Sequence, residues 1–86
     1  MICKELVLIC AACRKRHVNI IDRGGEIIVY ADLLKELFDT VMRQIVEMHV
    51  SKCAGEIADA LSLNADRYGW READGKMRFF YVVKKS

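Results

Sequence analysis

Val18-Asn19-Ile20-Ile21-Asp22-Arg23-Gly24-Gly25-Glu26-Ile27-Ile28-Val29-Tyr30 sets two β-branched runs on either side of a turn signal. Val, Ile and Tyr suit a pleated, half-buried surface. Gly24 and Gly25 take φ > 0 without strain, as a tight hairpin turn requires. The stretch predicts a β-hairpin, and the rest of the fold is read outward from it.

Downstream, Asp32 has the chemistry of a helix N-cap, a short carboxylate able to accept from free first-turn amides. Leu34, Phe38, Val41, Ile45 and Met48 then recur at helical spacing, as do Met42, His49, Cys53, Ile57 and Leu61. The periodicity predicts one helix over about 32–62, or two meeting near residues 50–55, where Ser51 and Gly55 are weak helix formers. Asn64 to Gly69 ends the helical region. Tyr68 to Glu72, a turn at Ala73-Asp74-Gly75 and Lys76 to Lys84 form a second hairpin signal. Upstream, Leu6-Val7-Leu8-Ile9 suits a buried strand that Cys10-Ala11-Ala12-Cys13 interrupts. The order ββ(β)α(α)ββ is α+β: an N-terminal β-hairpin with a zinc knuckle, a long or broken central helix and a C-terminal β-hairpin.

Eighty-six residues, 53% apolar and 30% charged, predict one globular domain spanning residues 1–86. A core this small seldom supplies more than roughly 3–5 kcal/mol, so a staple is expected, and the four cysteines direct attention to metal or disulfide. The first residues do not read as a secretory signal, because Arg14-Lys15-Arg16 follows a short apolar run. No run approaches the roughly 18 apolar residues of a membrane span. The expected location is cytoplasmic, where closely spaced cysteines are more often metal ligands or redox thiols than structural bridges.

Cys10-x-x-Cys13 places two sulfurs on a tight knuckle, and His49-x-x-x-Cys53 places an imidazole and a sulfur on one helical face. Two such pairs from separate elements can close the tetrahedral N/S shell of a structural Zn2+ site. All four positions would then come from protein, leaving none open for a catalytic water. Three alternatives stay open. The cysteines serve as small buried hydrophobes, with His49 a core histidine. Cys10 and Cys13 form a disulfide or redox pair. His17, four residues past Cys13, replaces His49. Cys3 reads as a spare thiol or one that pairs across a dimer.

With these four residues in place, the arrangement resembles zinc-finger domains of the C2HC kind over roughly residues 6–55. The resemblance implies metal roles for Cys10, Cys13, His49 and Cys53. It departs from short fingers in its 35-residue gap between the pairs, and it brings no base-reading code.

Net charge is +2, unevenly spread: +2 over residues 1–30, −3 over 31–63 and +3 over 64–86. The two basic ends permit a basic surface if they meet. Arg14, Lys15, Arg16, Arg71, Lys76 and Arg78 are the candidate nucleic-acid contacts, the latter three interleaved with aromatic residues. Alternation puts Met77, Phe79, Tyr81 and Val83 on the core face, and leaves Phe80 and Val82 with Arg78 and Lys84 on the other, in need of a cover. No phosphate loop, nucleophile elbow, H-E-x-x-H motif or triad occurs, so no enzyme and no small-molecule substrate are expected. The expected function is a small zinc-binding, nucleic-acid-binding regulator. The alternative is a protein-interaction module, a homodimer through the helix or the C-terminal hairpin, without nucleic-acid binding.

Overall fold

A computed structural model describes residues 11–85. It is α+β: a four-stranded antiparallel sheet carrying one long helix on one face. Residues 11–15 are helical (α1), followed by β1 (Asn19–Asp22), β2 (Glu26–Leu34), a 3-10 turn (Lys35–Leu37), α2 (Thr40–Leu61), β3 (Asn64–Ala73) and β4 (Lys76–Lys84). The strand order is β1-β2-β4-β3. The expected strand at Leu6–Ile9 and the first half of the knuckle lie outside the described residues.

The first hairpin forms as its turn chemistry dictates. Gly24 sits at φ 69 and its amide donates to Asp22 Oδ1 at 3.1 Å. The Arg23 amide donates to the Glu26 carbonyl at 2.9 Å, closing the loop. The second hairpin is tighter. Asp74 and Gly75, at φ 51 and 77, join Ala73 to its partner Lys76, the left-handed pair that a two-residue hairpin turn needs.

The helix begins later than its periodicity predicts. Asp39, not Asp32, is the N-cap, its Oδ1 accepting from the Met42 amide at 2.9 Å. The reason is sheet pairing: β2 pairs with β4 without interruption from Glu26↔Lys84 to Leu34↔Lys76. Residues 31–34 gain ladder pairing on the β4 side there, and Ala31 and Leu33 are buried, so they extend the strand instead of opening the helix. α2 then runs unbroken for 22 residues, about 33 Å at 1.5 Å per residue. Ser51 and Gly55 do not break it, because both lie exposed while the inward positions Val50, Cys53, Ala54 and Ile57 remain continuous. Ser62, in the left-handed region at φ 55, ends it, and the Leu63 amide returns to the Ala58 carbonyl at 2.8 Å.

The core lies between α2 and one face of the sheet. Val50, Cys53, Ala54 and Ile57 meet Ile27, Val29, Ala31, Phe79 and Val83, with Cys13 and Val18 closing one end. Trp70 flanks this core: its ring centroid is 5.0 Å from that of Phe38 and 5.3 Å from that of Phe79, and its Nε1 donates to Glu47 at 2.8 Å. Among the described residues no side chain in the core is polar or charged.

Candidate nucleic-acid interface and cysteine junction

Cys13 does not come from a strand-borne knuckle. It sits on α1, which ends in a left-handed cap. The Val18 amide donates to the Cys13 carbonyl and the His17 amide to the Arg14 carbonyl, each at 3.0 Å, with His17 at φ 62. This is the paired bonding of a Schellman cap, and it turns the chain from α1 into β1. Val18, the residue after the left-handed position, is buried beside Cys13. The cap therefore aims the Cys13 side chain into the core, towards α2.

There Cys13 meets Cys53. The two are joined in a disulfide across 40 residues of sequence with their Cα atoms 6.0 Å apart, and both are fully buried. Two of the four residues expected to hold zinc are thus brought together. His49, one turn before Cys53, is half-buried and lines a cleft of about 310 Å³ with His17, Arg16, Met42 and Val46. The two histidines that compete for one ligand role open onto the same cleft. Among the described residues no third His, Cys, Asp or Glu completes a group that would hold an ion. Cys10 lies outside them. Reduced, the sulfur pair would offer two thiolates from separate elements, half of the four donors that a structural zinc takes.

The other concentration of functional chemistry is the sheet face away from α2. Antiparallel pairing puts directly opposed residues on one side, and three neighbouring rows make up the middle of that face. Arg67, Val82, Ile28 and Ile21 form the first, Gly69, Phe80, Tyr30 and Asn19 the second, and Arg71, Arg78 and Asp32 the third. A bulge between Ala65 and Arg67 sets the register of the first row. Arg23, Arg67, Arg71 and Arg78 surround the apolar patch of Ile21, Ile28, Tyr30, Phe80 and Val82 in a shallow concavity of about 240 Å³. Among the described residues no acidic side chain lines it.

Arg78 is the best-held cation on the face. Its Nε and Nη2 donate to the two Asp32 oxygens at 2.7 and 3.1 Å, and its guanidinium carbon lies 4.2 Å from the Tyr30 ring centroid. The Asp32 hydrogen bond holds the Arg78 guanidinium above its ordinary, already high value, against the opposing effect of burial. Arg67 pairs with Asp66, which Lys84 also approaches at 3.5 Å. Arg23 and Arg71 make no ion pair among the described residues.

The structure divides the cations expected at a nucleic-acid surface. Arg71 and Arg78 line the concavity, and Lys76, exposed on β4, shares their side of the strand by alternation. Arg14 and Lys15 are exposed on α1, and Arg16 lines the histidine cleft with its Nη1 buried and unpartnered among the described residues. Arg23, Arg67 and Tyr30 were missing from the expected set. The alternation of Ile27 and Val29 with Ile28 and Tyr30 carries the signal for Tyr30. Compared with known proteins, the chain matches no family model, no curated protein and no solved structure. No helix among the described residues is long and apolar enough to cross a membrane.

Proposed function

We propose that this chain is a small nucleic-acid-binding domain whose interface is the sheet face away from α2. One observation carries the reading: four arginines border an apolar, aromatic patch that no acidic side chain lines among the described residues, Asp32 and Asp66 pairing with Arg78 and Arg67 at its margin. Guanidinium groups neutralise phosphates while rings and aliphatic side chains receive bases. Retention on an immobilised oligonucleotide at low salt, lost steeply as salt rises, tests it. No retention at low salt removes it.

The junction between α1 and α2 serves as the staple in this reading, and the C2HC resemblance rests on it. In the reduced protein Cys13 and Cys53, with Cys10 and His49, would hold a structural Zn2+, His17 being the alternative donor. When bound, such an ion supplies folding free energy. Phosphate contact falls to the arginines.

A protein-interaction reading is favoured by a different observation. Val41, Ile45 and Met48, at 64%, 38% and 59% exposure, form an apolar stripe on the outer side of α2, with Leu34 and Leu37 also exposed. A homodimer through this stripe would bury it. Sedimentation of the wild type against Val41→Lys/Met48→Lys decides the point: a dimer that the substitutions dissociate supports it, and a wild-type monomer removes it.

A further inference from the structure

We infer that the ligand of the arginine-ringed face is single-stranded nucleic acid, with a phosphate seated between Arg71 and Arg78 and a base stacked on Phe80. The inference rests on the nucleic-acid reading above and adds strandedness and register to it.

The seat follows from charge. Arg71 and Arg78 are directly opposed on β3 and β4, a like-charge pairing that costs stability unless an anion lies between them. Asp32 answers only Arg78, engaging it by two hydrogen bonds. Arg71 is left exposed and without an ion pair among the described residues. A phosphate oxygen accepting from both guanidinium groups relieves the opposition, and Arg78, held over the Tyr30 ring, needs little ordering to receive it.

The base platform follows from which ring is free. Arg78 already covers Tyr30 at 4.2 Å, so Tyr30 orients the cation. Phe80 is half-buried and lies against Gly69, which has no side chain to screen it. Phe80 is also two residues from Arg78 on the same strand, hence about 7 Å along the same face, within reach of one nucleotide.

Strandedness follows from width. Four strands at about 4.8 Å spacing set the edge-strand axes about 14 Å apart before side chains are counted. A B-DNA major groove is about 12 Å wide. The face cannot enter it, and the bases of a duplex stay stacked out of reach of Phe80. A single strand can splay a base onto the ring.

The test is fluorescence anisotropy at low salt with a labelled oligonucleotide of about 12 nucleotides, as single-stranded RNA, single-stranded DNA and duplex of one sequence. The proteins are the wild type, Phe80→Ala, Phe80→Tyr and Arg71→Ala, each checked for fold by circular dichroism. The expected result is at least tenfold tighter binding of one or both single strands than of duplex. Phe80→Ala should lose about tenfold or more with an unchanged salt slope, and Phe80→Tyr should retain affinity. Duplex bound as tightly as single strands, or Phe80→Ala binding like the wild type, overturns the inference while the nucleic-acid reading stands. No binding of any oligonucleotide overturns both. If Phe80→Ala does not fold, Arg71→Ala must still weaken single-strand binding, and no change there overturns the seat.

Discussion

Arg71 and Arg78 face each other across β3 and β4, and Asp32 answers Arg78 alone. A sheet optimised only for stability would place an acid or a neutral residue opposite Arg78. Sites that bind anions commonly keep such a conflict, because the ligand resolves it.

Replacing Arg71 by Ala should therefore move stability and binding in opposite directions. Loss of the like-charge opposition should stabilise the fold by about 0.2–1 kcal/mol. The salt dependence of oligonucleotide binding should flatten by about 0.7 in log–log slope, one phosphate contact fewer on a single strand. Thermal melts and anisotropy titrations at several salt concentrations check both signs.

Asp32→Asn should do the reverse. It removes the bidentate partner of Arg78, both side chains being partly buried at 29% and 27% exposure, and should cost about 1 kcal/mol of stability. It also removes the anion that competes with phosphate, so oligonucleotide affinity should rise. Unchanged affinity would mean that Arg78 does not contact the ligand.

The Cys13–Cys53 junction should respond to reductant and then to zinc. A disulfide closing a loop of 40 residues contributes about 4 kcal/mol in the chain-entropy account. Reduction of the oxidised protein should lower Tm sharply, and added Zn2+ should restore much of the loss in the reduced protein, reversibly with chelator. Trp70 fluorescence follows the melt, because its indole packs between Phe38 and Phe79 beside α2. Reduced protein that melts identically with zinc and with chelator contradicts the metal role.

Asp39→Ala should destabilise the protein by about 1 kcal/mol through loss of the α2 N-cap, lowering Tm by roughly 4–8 °C for a domain of this size. The corresponding Asp32→Ala change leaves the helix start untouched. A circular-dichroism melt of each variant separates the cap from the ion pair.

The two hairpins were legible because their turns are local: Asp22 to Gly25 and Asp74-Gly75 carry the required conformations in their own side chains. The helix start was not. Asp32 and Asp39 have the same capping chemistry, and only the nine-residue pairing of β2 with β4, set by residues 42 to 58 positions away in sequence, decides between them. Spacing pointed to Cys13 and Cys53 as co-ligands of zinc and to a disulfide only between Cys10 and Cys13, so a bond between Cys13 and Cys53 was not legible. The α1 helix that delivers Cys13 was hidden, because its cap uses His17 in a left-handed conformation where glycine is the usual signal. The basic face was legible only by halves. Alternation assigned Arg78 and Phe80 to one side of β4, but the bulge at Ala65/Arg67 that fixes the Arg67 register, and the β2 neighbour that supplies Tyr30, belong to tertiary pairing.

The central claim is that ligand lies on the sheet face opposite α2. Backbone and arginine side-chain NMR shifts, followed while a single-stranded oligonucleotide is titrated into labelled protein, test it most directly. The account predicts that the largest changes fall on Tyr30, Arg67, Gly69, Arg71, Arg78 and Phe80, with Val50, Ile57 and Trp70 little moved. Changes confined to Val41, Ile45 and Met48, or none at saturating oligonucleotide, would contradict it.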